Sequence, residues 1–210
     1  MVTSIFQGTE FQPVERVPQS SPPWVWVGFV FAGAFFIIEI LFVVLGVEEA
    51  ALNGVLTLIM LGGWIYWLFC VHRIHKILAE LTANSYPIAP GEAVGKHIIP
   101  FYNFYWIFKW PGEFSHYINS RGRVRVISGA VIGVMLLLSL LLRFFDGAIG
   151  MAFLFGVTAF VSSKLKAHVK AVKGITPDQL PPLPDPRIFS QPIETSATPA
   201  AETVNGPQVG

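Results

Sequence analysis

A chain of 210 residues is one domain's worth, yet 53% of it is hydrophobic and only 13% charged, where a soluble domain carries about a quarter charged residues. Lys plus Arg at 14 nearly balance Asp plus Glu at 13, which leaves no global field for nucleic acid or an acidic substrate. A single cysteine, Cys70, excludes an internal disulfide framework and a Cys-rich metal site. The composition is that of a membrane protein.

The first twenty residues are polar and proline-containing, with Glu10, Glu15 and Arg16 and no apolar core, so they read as a cytoplasmic segment (1–23) rather than a cleaved signal peptide. Ser21, Pro22 and Pro23 then suit the cap and first turn of a helix. Four apolar stretches approach the roughly 20 residues that a spanning helix needs, at about 24–46, 51–71, 125–143 and 147–163. Trp24 and Trp26 open the first, and Trp64, Tyr66 and Trp67 lie toward the end of the second, where amphipathic rings prefer the headgroup zone.

Orientation follows from the cations, because Lys and Arg in short loops stay on the cytoplasmic side. The loop after the first span, "GVEEA", has none. Arg73 and Lys76 follow the second span, Arg121, Arg123 and Arg125 precede or open the third, and Lys164, Lys166, Lys170 and Lys173 follow the fourth. All of these clusters are expected in the cytoplasm, with both chain ends there too, and Arg143 is the one cation on the far side. Residues 77–120 then cross twice or not at all, and they are too few to cross twice. Their centre, "IPFYNFYWIFKWP", is dense in aromatic rings but carries Pro100, Asn103 and Lys109. Proline breaks a straight helix, and rings flanked by lysines suit the boundary between headgroups and acyl chains. The segment 85–120 is therefore expected to be interfacial or re-entrant. A fifth span at 93–110 is the rival, and it would place one arginine cluster outside.

The expected fold is all-α and integral to the membrane: four transmembrane helices within residues 24–173, with this aromatic segment between helices 2 and 3. From Gly174 to Gly210 the chain turns to Pro, Thr, Ala and Gln, a composition that cannot repay its ordering entropy and reads as a disordered cytoplasmic tail.

Candidate chemistry is sparse. His72 and His75 share a helix face but lack further ligands, and they read as a titratable collar at the membrane exit. Glu39 is the one acid inside a span, and a structural ion pair with Arg143 would satisfy both. "GAVIG", Gly129–Gly133, is a GxxxG that allows close helix contact, read as packing within the chain, with homo-oligomerisation left open. No nucleophile elbow, phosphate loop or zinc-protease motif occurs. No cofactor, metal or catalytic residue is expected.

The run "PGEAVGKHIIPFYNFYW", Pro90–Trp106, resembles the PGxAVGxxFIPxxNxxW signature of uncharacterised bacterial multi-helix membrane proteins grouped as a domain of unknown function. Pro90, Gly91, Ala93, Val94, Gly95, Ile99, Pro100, Asn103 and Trp106 carry the likeness, which covers about twenty central residues. It implies a bacterial inner-membrane protein and no particular reaction.

These readings point to a non-catalytic membrane protein for interaction, assembly or regulation. Tyr102, Asn103, Tyr105, Trp106, Lys109 and Trp110 are the expected surface toward a cytoplasmic protein partner or lipid, and Arg121, Arg123 and Arg125 the expected contacts with anionic headgroups. The alternative is a small transporter or channel that uses the re-entrant segment, with Asn103 and Glu39 on its path. A third reading, a lipid-modifying enzyme using His97 or His116, lacks an acid or metal partner.

Overall fold

The computed structural model describes residues 16–46 and 49–174, and every regular element among them is a helix. In chain order these are α1 (Trp26–Leu45), α2 (Glu49–Leu81), α3 (Pro90–Ile98), α4 (Tyr102–Ser120), α5 (Gly129–Phe145) and α6 (Gly147–Lys173). Trp26–Leu45, Ala50–Leu81 and Gly147–Lys173 are long and apolar enough to cross a membrane, and Gly129–Phe145 is apolar but shorter. The chain is thus an all-helical protein with the helices of an integral membrane protein. The proline-rich tail expected beyond Gly174 lies outside the described residues.

The helix ends follow local chemistry. Gly46 closes α1 at φ +64°, with its N–H donating to Phe42, a left-handed conformation that glycine adopts without steric cost. Asp146 separates α5 from α6: its N–H donates to the Leu142 carbonyl at 2.8 Å, while its Oδ1 accepts from Ile149 N at 2.8 Å. One residue ends a helix and caps the next, so the connection needs no further length. Ser128 caps α5 in the same way, accepting from Ala130 N at 3.3 Å.

Two expectations change here. Ser21 does not cap α1, whose first turn follows Val25 without a side-chain cap; its Oγ instead accepts from Arg73 Nη2 at 3.0 Å. The second helix runs ten residues past the expected end at 71, because Ile74, His75, Ile77, Leu78 and Leu81 extend a buried stripe at helical spacing. His75 is therefore core and not part of an exposed collar.

Packing passes from neighbour to neighbour: α1 lies on α2 and α6, α6 on α5, α5 on α4, α4 on α3, and α3 back on α2. Small residues set the closest approaches. A methyl group at Gly28 would stand 2.0 Å from the Phe155 ring, and one at Gly147 would stand 2.5 Å from Phe35. These two contacts fix a stagger. The α5–α6 turn meets α1 at Phe35, ten residues before its end, so the α1–α2 hairpin extends about 15 Å beyond that turn.

At the opposite end lie the N-terminal strap ahead of α1 and the C-terminal half of α6. Residues 16–25 run back along α2, with Arg16 N donating to Leu81 O at 2.8 Å, Ser20 N donating to Glu80 Oε2 at 2.8 Å, and Tyr66 Oη donating to Trp24 O at 2.8 Å. His168 on α6 and Tyr86 in the α2–α3 loop both pack edge-on against Tyr117 of α4. The α4–α5 loop and the C-terminal half of α6 share this end, which carries the Arg73, Arg121–Arg125 and Lys164–Lys173 clusters.

Candidate functional site

The aromatic segment folds as two helices joined at a sharp break. Proline at the first position of α3 is pre-set for a helix and lacks only an N–H that would be unpaired anyway. Glu92 and Lys96, four apart on its outer face, form an ion pair, and Ala93 and His97 face inward. The break falls at Pro100–Phe101, as the missing proline N–H requires. Phe101 adopts φ +61° and ψ −39°, a sparsely populated conformation that costs a non-glycine residue about 1–3 kcal/mol.

Helical periodicity then sorts the rings of α4. Trp106, Trp110, Phe114 and Ile118 recur every four residues and are buried, as are Ile107 and Tyr117 beside them. Phe101, Phe104 and Tyr105 face outward, while Phe108 lies over Gly133 of α5. Trp106 and Trp110, expected on the presented surface, are each 2% exposed. Trp106 Nε1 donates to the Ala93 carbonyl at 3.0 Å, and its ring lies under Lys96 Nζ at 4.4 Å, a cation–π contact. Trp110 packs edge-on against His75 with ring centres 5.5 Å apart.

The other expected contacts divide. Tyr105 is exposed. Tyr102 is half-buried against Trp106, and Lys109 is half-buried and paired with Glu113 at 2.7 Å; the hydrogen bond to Glu113 holds the Lys109 pKa above its ordinary value. Arg121 is buried with its guanidinium over Tyr117, so it is withdrawn from the surface. Arg123 is half-buried and Arg125 exposed. Among the described residues, no three His, Cys, Asp or Glu side chains come together as metal ligands would. His116 is exposed on α4, while His97 is buried, so the two do not form one interfacial pair.

Glu39 and Arg143 do not form the expected ion pair. α1 packs on α2 and α6, and Arg143, on α5, directs Nη2 to Met60 Sδ at 3.6 Å. Sequence spacing places both residues deep in apolar helices, but the Phe35–Gly147 contact puts Glu39 beyond the α5–α6 turn and Arg143 behind it.

What the sequence did not signal is a polar pair inside the hairpin. His97 Nδ1 lies 2.7 Å from Asn103 Oδ1, across the break, and its ring stands edge-on to Trp67 with centres 4.7 Å apart. His97 Nε2 is buried without a hydrogen-bond partner. The pair ties α3 to α4 and seats both on α2. Asn103 also borders a cavity of about 30 Å³ with Trp64, Trp67, Ser139 and Arg143. The α3–α4 break and the α5–α6 turn therefore converge on one spot. Comparison with protein-family models, curated proteins and solved structures gives no match, so the reading rests on this geometry.

Proposed function

We propose that the protein is a non-catalytic component of a bacterial cytoplasmic membrane, N-in and C-in, that holds an aromatic face within the inner leaflet for a partner protein. The observation that carries this is the pair of apolar tips. Ile98, Ile99 and Phe101 at one break, and Phe144 and Phe145 at the neighbouring turn, are exposed, Phe101 at 86% and Phe145 at 88%. Contiguous exposed apolar surface of this kind marks a membrane or protein contact. The cation clusters at the opposite end support a cytoplasmic location for both termini.

In this reading α1, α2, α5 and α6 are the four spans, α5 and α6 forming the shorter pair whose turn lies about 15 Å short of the end of α1 and below the headgroups. The α3–α4 hairpin is re-entrant between α2 and α5. The break is exposed but pairs its backbone internally, with the N–H groups of Tyr102, Asn103 and Phe104 donating to the Pro100, Ile99 and Phe101 carbonyls, as a place in the bilayer requires. Arg123 and Arg125, in the α4–α5 loop, are placed for anionic headgroups, each adding about 1 kcal/mol. The outward rings Phe104 and Tyr105 lie between tip and headgroup level and form the face offered to a partner. The resemblance of Pro90–Trp106 to the uncharacterised bacterial membrane family fits the same setting.

A photo-crosslinker at Tyr105, compared with one at the buried Trp110, tests the function in native membranes. A defined protein adduct at Tyr105 and none at Trp110 is expected, and lipid adducts alone would defeat the partner reading. Single cysteines at Phe101 and Phe145 in a Cys70→Ser background test the topology. Both should resist impermeant reagents from either side, while Asn84 and Ser120 label from the cytoplasmic side; labelling of Asn84 and Ser120 from opposite sides would defeat it.

A further inference from the structure

We infer that the cavity where the two hairpin tips meet binds a small inorganic anion of halide size. Its lining supplies a full positive charge at Arg143, an amide at Asn103, the indoles of Trp64 and Trp67, and the hydroxyl of Ser139. No carboxylate borders it. Trp67 Nε1 is committed to Thr158 Oγ1 at 3.1 Å and Ser139 Oγ to the Leu136 carbonyl at 2.6 Å. With Asn103 Oδ1 already accepting from His97, the amide keeps both of its Nδ2 donors.

Arg143 carries five donors, and the one contact they make among the described residues is to a thioether, at 3.6 Å, a weak acceptor. A guanidinium among apolar walls is unfavourable without an opposite charge, and the expected carboxylate, Glu39, is not beside it. A water would meet the hydrogen bonds and leave the charge. Size narrows the choice: about 30 Å³ accepts one or two water-sized species, which admits a halide and excludes a whole phosphate or carboxylate headgroup. The cavity is lined by residues of α2, α4, α5 and α6 and by neither Phe104 nor Tyr105, so the inference stands apart from whether those outer rings meet a partner.

Bromide titration of the full chain in neutral detergent, at constant ionic strength against gluconate, tests it through tryptophan emission and melting temperature. Two tryptophans border the cavity, so bound bromide should give a saturable phase of quenching above the linear collisional one, competed by chloride. Saturable stabilisation should accompany it. Arg143→Lys should weaken the apparent affinity about tenfold, since an ammonium lacks the planar fork, and Arg143→Met should abolish the saturable phase. If Arg143→Met does not fold, Ser139→Val, which fills the cavity and keeps the charge, should abolish it instead. Linear quenching alone in the wild type, or an equal response to gluconate, would overturn the site. So would stabilisation by phosphatidylglycerol in halide-free buffer that Arg143→Met removes, which would assign the arginine to a lipid phosphate.

Discussion

Trp106→Ala is expected to lower stability by about 3–5 kcal/mol, the range for deleting a large aromatic side chain from a packed core. Three contacts go together. The indole fills the interface of α3, α4 and α2, its Nε1 satisfies the Ala93 carbonyl at 3.0 Å, and its face holds the Lys96 ammonium. Removing it opens a cavity and frees α3, a nine-residue helix too short to persist by itself. The neighbouring Tyr105→Ala is the control: its ring is 55% exposed, and a surface change of this kind stays within about 0.5 kcal/mol. Reversible unfolding in mixed micelles of ionic and neutral detergent measures both. Similar losses for the two variants would show that the helical face of α4 is assigned wrongly.

Gly129→Val should be as damaging for a different reason. A Cβ at Gly129 would lie 2.4 Å from Gly112 Cα and 2.5 Å from the Pro111 carbonyl oxygen. Both atoms are backbone, so no rotamer change relieves the clash, and α5 must separate from α4. We expect a loss of about 3 kcal/mol, the upper part of the range for overpacking, with release of the α3–α4 hairpin from α5. Gly156→Ala, on α6 where no atom lies within 4 Å of the added methyl, should be neutral or stabilising by up to about 1 kcal/mol through lower unfolded-chain entropy. Thermal melting of the two variants should move in opposite directions or leave Gly156→Ala unchanged. A tolerated Gly129→Val would mean that α4 and α5 pack less closely than described.

Much of the helical layout was legible because long apolar runs leave little choice. The break at Pro100 could be placed from the missing N–H alone. The GxxxG at Gly129 and Gly133 reads as packing within the chain, and the structure uses both glycines against α4. The burial of Trp106 and Trp110 could have been read from their spacing to Phe114 and Ile118, but the density of rings around them masked the four-residue period. The fate of Glu39 and Arg143 could not have been found that way. Their separation depends on how far one hairpin slides past the other, and Gly28 and Gly147 set that slide through contacts with Phe155 and Phe35 that no local pattern encodes. The His97–Asn103 pair is similar: six positions apart, it meets only because the backbone reverses between them.

The strap from Arg16 to Trp24 imposes an order on assembly. Ser20 and Glu80 are 60 positions apart in sequence, so the contact closes a long loop that gains nothing until its far end exists. During synthesis the first helix is complete long before Glu80 is made, and the residues ahead of it have nothing to grip. Only a second helix grown to its full length offers Arg73, Glu80 and the Leu81 carbonyl as a docking track. The strap therefore acts as a gauge: a second helix that stopped at residue 71 would leave the start of the chain loose.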